Sequence, residues 1–130
     1  QPTSPFVIQD HIFGVLEKMI DNPNTDSVQT ICKVDHHNHA YNQREIIKDN
    51  VNFIFKKKKL KYYNKQKKPD FYKLGNLILF KTKSFLKKNN IFGDNSLGYI
   101  IPEKYSMDID SMEDVKQSNI YIKEGWVKLD

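Results

Sequence analysis

The sequence predicts an α/β fold, and three observations lead there. A helical apolar period runs over residues 8–21, a β-branched run follows it almost at once over 26–34, and a second apolar strand occupies 74–82. The 130 residues, 38% hydrophobic and 12% aromatic, suffice for one core and one domain rather than two. The longest apolar run, residues 77–80, is far shorter than the roughly 18 residues of a membrane span. No membrane partner is expected.

The elements follow in order. Ile8, Ile12, Val15, Leu16, Met19 and Ile20 recur at spacings of three and four and define an amphipathic helix, framed by Ser4-Pro5 and by the turn-forming Asp21-Asn22-Pro23-Asn24. Val28, Thr30, Ile31, Cys32 and Val34 then mark a strand. Residues 35–50 are polar and read as loop or arm, with a possible short segment near 45–47, and 51–55 alternates as a half-buried strand. Residues 74–82 form the second strand, taken as central, entered through a turn at Gly75-Asn76. Residues 84–90 suit a short helix and 99–101 a brief extended stretch. A last helix spans 112–123, with Asp110 as N-cap and Glu113 as its capping-box partner.

The net charge of +5 is local in origin. Eight lysines fall within residues 56–68, which leaves 13 bases against 16 acids elsewhere. A lysine-rich stretch is usually a solvated edge, so nucleic acid is not the expected partner despite the interleaved Tyr62 and Tyr63. His36, His37 and His39 lie too close together on an extended chain to converge on zinc, and read as loop residues. The single cysteine, Cys32, forms no internal disulfide and points to a reducing, cytoplasmic setting. Asp108 and Asp110, two apart in an extended approach to a helix, can present both carboxylates to one side, the donor set Mg²⁺ takes together with substrate phosphates. No Gly-rich phosphate loop or nucleophile elbow is present in these residues.

Three stretches together resemble the acylneuraminate cytidylyltransferases, the family that makes CMP-sialic acid: Gln1-Pro2-Thr3-Ser4-Pro5, the run from Tyr72 through Gly75-Asn76 to Phe80, and Gly93-Asp94 through Pro102 and Ser106 to Asp108-Ile109-Asp110. The resemblance covers residues 1–124. It implies a Rossmann-like nucleotidyltransferase three-layer sandwich, incomplete here, in which a hydroxyl of a nine-carbon acidic sugar (sialic, legionaminic or pseudaminic acid type) attacks the α-phosphorus of CTP and pyrophosphate leaves. On that basis Asp108 and Asp110 are the expected catalytic and Mg²⁺-binding residues, and Gln1, Lys65, Gln66, Gly75 and Asn76 the expected substrate contacts. Residues 38–70 would be an arm for homodimerisation. The chain departs from the family at Phe6-Val7, at Gly75-Asn76 and at Lys65, where relatives carry Leu-Arg, Asn-Gly and an Arg. The expectation is the C-terminal two-thirds of an enzyme whose CTP-gripping loop precedes Gln1, inactive by itself. The competing expectation is a non-catalytic domain of the same ancestry that dimerises or binds an anionic ligand.

Overall fold

A computed structural model describes residues 2–62 and 68–129. The described residues form a mixed α/β structure with four α-helices, a three-stranded mixed sheet and a two-stranded hairpin. It divides into two compact units, one of residues 1–32 with 74–130 and one of residues 33–73.

In the first unit, α1 (Gln9–Asp21) forms where predicted but turns a different face inward: His11 and Val15 are buried and Gly14, Lys18 and Met19 half-buried, while Ile12, Leu16 and Ile20 of the predicted stripe are exposed. Asn22 closes its end by donating from Nδ2 to the Lys18 carbonyl at 2.8 Å, and Pro23 prevents continuation. Strand β1 (Ser27–Lys33) lies between its two neighbours, in the order β4-β1-β5. The central strand is therefore β1, and β4 (Tyr72–Phe80) is an edge, contrary to the expectation from sequence. Burial explains the difference: Ser27, Val28, Thr30 and Cys32 are fully enclosed, whereas both ends of β4 are open to solvent. β5 (Ser96–Ile100) runs parallel to β1 in a register that pairs Ser27 with Ser96 and Ile31 with Ile100. The paired serine hydroxyls are 2.8 Å apart. On the other side, Lys81 donates to the Asp26 carbonyl while Asn76 and Leu77 donate to the Thr30 hydroxyl, an antiparallel order.

Gly75-Asn76 is not a turn. Both residues lie within β4, where a side chain at Gly75 would meet Thr30 Oγ1 at 2.6 Å and Ile101 Cδ1 at 2.9 Å. The glycine allows close packing of β4 on β1 rather than a sharp bend. Helix α3 (Thr82–Lys88) ends at Asn89 in the left-handed conformation. Helix α4 (Met112–Lys123) is capped one residue later than predicted: Ser111 is the N-cap, its hydroxyl accepting from the Asp114 amide while Asp114 accepts from the Ser111 amide. Ser111 has the extended backbone that a cap requires, with φ −140° and ψ 166°. The core gathers Phe6, Cys32, Ile101, Tyr105 and Val127, with Ile8, Tyr99, Met107 and Tyr121 packed against them.

In the second unit, the strand expected at 51–55 forms as β3 (Asn50–Phe53), mostly exposed rather than half-buried, and pairs antiparallel in a hairpin with β2 (Arg44–Ile47), which the sequence places within a loop or arm, Ile46 opposite Val51. Lys48 and Asp49 both adopt positive φ in its two-residue turn, a conformation that Asn-Gly signals more clearly than Lys-Asp. Part of the lysine run is helical, as α2 (Lys56–Lys61). His39 lies in a loop, as expected, but is not solvated. Its ring is buried and stacked 4.5 Å from Phe71, Nδ1 accepts from the Tyr41 amide, and Nε2 therefore donates to the Pro69 carbonyl at 3.0 Å. Tyr41 joins the same cluster through Phe55, Tyr62 and Phe71. No described helix is long and apolar enough to cross a membrane.

Candidate functional site

The opening stretch is anchored by the residue that follows it. Phe6 is fully buried and its ring stacks on Tyr121 of α4, so Pro2, Thr3 and Pro5 stay at the surface on a fixed segment. The run that carries Asp108 and Asp110 is held on both sides. Met107 packs against the core, and Ser111 begins α4. Between them the Ile109 amide donates to the Thr3 carbonyl at 2.9 Å. The two motifs from opposite ends of the sequence are thereby neighbours.

Exposure alternates along this run. Asp108 and Asp110 face solvent on either side of the half-buried Ile109, the alternation expected of an extended segment. Because Ser111 supplies the cap, the Asp110 carboxylate is not spent on the helix, and only its amide is engaged, donating to Asp114 Oδ2 at 3.1 Å. Hydrogen bonds from the Ser111 hydroxyl and the Asp110 amide hold the Asp114 carboxyl below the usual carboxylate range. Among the described residues neither Asp108 nor Asp110 has a side-chain partner, and no group of three or more His, Cys, Asp or Glu could hold a metal. Any cation here would take two carboxylates and complete its shell with water and ligand oxygens.

Asn76 connects the same two segments from beneath. It is 1% exposed. Its Nδ2 donates to the carbonyl of Phe6 at 2.9 Å and to that of Tyr105 at 3.1 Å, and lies 3.0 Å from His11 Nδ1. Its Oδ1 accepts from the Thr30 hydroxyl at 3.1 Å. One side-chain amide thus ties the residue after the opening motif to the residue before Ser106, and all of its polar atoms are used inside the protein. Gly75 sits beside it, closed off by Thr30 and Ile101. Gln1, Lys65 and Gln66 lie outside the described residues.

Two features had no specific signal in the sequence. Asp26 accepts from Ser84 Oγ, Lys88 Nζ and the amides of Asp94 and Asn95. The bond from Lys88, followed by that from Ser84, holds its carboxyl far below the usual range. Lys88 also pairs with Asp94, and Gly93 permits this closure, having φ +67° and no room for a Cβ against Asp26. In the second unit a cavity of about 130 Å³ is lined by Lys33, His36, His39, Lys68, Asp70 and Phe71 among others. Lys33 is paired with Asp70 there at 2.7 Å. No family model and no curated protein matches the chain.

Proposed function

We propose that the chain is part of a CTP-dependent nucleotidyltransferase of Rossmann-like architecture that joins a nine-carbon acidic sugar to CMP and releases pyrophosphate. The observation that supports this reading best is the backbone bond from Ile109 to Thr3, 2.9 Å, which brings together two of the three stretches on which the resemblance rests. Chance similarity in two short stretches gives no reason for them to be adjacent.

Asp108 and Asp110 fit a hard divalent cation: both residues are exposed and neither carboxylate has a side-chain partner among the described residues. Bound Mg²⁺ supplies neutralisation of charge on the phosphate oxygens. The protein's part is to hold that position rigid, through the Met107 packing, the Ser111 cap and the Thr3 carbonyl. The surface of Pro2, Thr3 and Pro5 then offers the acceptor a place beside the carboxylates, while Gln1, Lys65 and Gln66 are sugar contacts by the resemblance alone. Asn76 is a positioning residue in it, since its amide joins the Phe6 and Tyr105 carbonyls on which both segments hang.

A homodimer is part of the proposal. Ile46 and Val51, paired across the hairpin, are 75% and 63% exposed, and an isolated two-stranded hairpin is marginal in water. Ile46→Glu should leave the chain monomeric in sedimentation if this face meets its copy.

The metal role is tested by titrating the ¹⁵N-labelled full chain with Mn²⁺. Paramagnetic broadening should begin at residues 2–5 and 106–111 and disappear in Asp110→Asn. Broadening that begins elsewhere, or that ignores this substitution, removes the metal from Asp108 and Asp110.

A further inference from the structure

Three cations of the second unit converge on one asparagine. The Asn42 side chain is fixed by its Nδ2, which donates to the His36 carbonyl at 2.5 Å, so Oδ1 faces the other way. That single oxygen accepts from Lys59 Nζ at 2.7 Å and from Lys68 Nζ at 2.9 Å. Two ammonium groups on one acceptor are less than about 6 Å apart, a separation at which like charges repel appreciably. Arg44 is the third. It donates to the Asn42 backbone carbonyl at 3.0 Å, and its guanidinium lies 4.5 Å over the Phe53 ring, the ring that Lys59 also approaches at 5.4 Å.

No carboxylate among the described residues pairs with Arg44, Lys59 or Lys68. The donor inventory is far from exhausted. Each ammonium carries three N–H groups and spends one on Asn42, and the guanidinium spends one of five. Lys59 and Lys68 are half-buried rather than splayed into solvent. Burial, then the charge of Lys59, lowers the Lys68 ammonium from its ordinary range, a cost that a bound anion would relieve. Lys68 also lines the cavity of about 130 Å³ with Lys33 and His36, which leaves space next to it.

We infer that Arg44, Lys59 and Lys68 form an oxyanion site whose ligand is a phosphate dianion, free or carried as a phosphomonoester. A dianion balances the two ammonium groups held on one oxygen, which a monocarboxylate does not. Lysine ammonium groups also suit a tetrahedral phosphate as point charges, without the planar fork that selects carboxylates.

The test is a titration of the ¹⁵N-labelled full chain at constant ionic strength, with inorganic phosphate, a nucleoside monophosphate, a single-stranded oligonucleotide and acetate as separate arms. Phosphate or the monophosphate should give saturable shifts at residues 42–44, 59 and 68, and the tighter of the two names the source. Lys59→Gln and Lys68→Gln should each abolish saturation while the remaining resonances stay dispersed as in a folded chain. Lys68→Arg should restore it, and Lys57→Gln, on the exposed side of the same helix, should have no effect. The inference is overturned if the shifts are linear and spread over all lysines, if acetate saturates equally well, if Lys57→Gln weakens binding as much, or if only a single-stranded oligonucleotide saturates.

Discussion

Replacing Asn76 by alanine removes one side-chain amide and leaves two carbonyls, those of Phe6 and Tyr105, without the donor that reaches them at 2.9 and 3.1 Å. The site is 1% exposed, so water does not substitute without opening the core. An orphaned buried acceptor costs about 1–3 kcal/mol, which for two carbonyls gives about 2–6 kcal/mol. Thr30 keeps a partner, because its hydroxyl also bonds the Leu77 carbonyl at 3.1 Å. A loss of about 4 kcal/mol is a large part of the roughly 5–15 kcal/mol that stabilises a domain. Asn76→Asp is the sharper probe because it preserves shape. Its carboxylate would face two carbonyl oxygens, and burial would raise its folded pKa above the unfolded value of about 3.9. Stability relative to the unaltered chain is then lost as pH rises above about 4, so the variant should be worst at neutral pH and partly recover in acid. Urea unfolding followed by circular dichroism at pH 7 and pH 4.5 measures both effects. If either variant unfolds within about 1 kcal/mol of the unaltered chain at pH 7, Asn76 is not the tie described. A residue serving only to touch ligand would give that result.

Other outcomes follow from the same structure. Asp26 has a depressed folded pKa, so its contribution is complete above the usual carboxylate range and is lost as pH falls below about 4; Asp26→Asn should flatten that acid limb of an unfolding-versus-pH curve, and an unchanged limb would exclude it. Ser111→Ala should cost about 1 kcal/mol of stability through the lost cap, whereas Asp110→Ala should stay within about 0.5 kcal/mol. The reverse order in thermal melts would return the cap to Asp110. Gly75→Ala must displace Thr30 or Ile101, and should cost about 1–3 kcal/mol as overpacking does. A neutral effect in urea unfolding would show that β4 has slack against β1.

How much of this was readable beforehand depended on whether the signal was periodic or positional. The period of α1 repeats over several turns, so the helix and its ends were legible, whereas the face it buries, through His11 and Val15 rather than Ile12, Leu16 and Ile20, depends on what packs against it. The cap of α4 rests on a choice between Asp110 and Ser111, both competent, and only the extended backbone at Ser111 decides it. Of the hairpin at 44–53 the second strand was legible, but its pairing with the first was hidden because Lys48-Asp49 carries no glycine, and because Ile46 lies on an exposed surface rather than a core face. Gly75-Asn76 has the composition of a turn. Its actual role depends on Phe6, Thr30 and Tyr105, which are distant in sequence, and no local pattern could reveal it. The same applies to the candidate site. Spacing offered Asp108 and Asp110 as a pair, but their adjacency to Thr3 is a tertiary fact.

The reaction itself is the most direct test: CTP-dependent pyrophosphate release by the natural polypeptide that carries these residues, assayed with Mg²⁺ and a panel of nine-carbon acidic sugars. Release that requires both sugar and cation, and that falls at least a hundredfold in Asp110→Asn while urea unfolding is unchanged, is the predicted result. A folded protein that releases no pyrophosphate with any sugar in the panel, or that is equally active in Asp110→Asn, would contradict it.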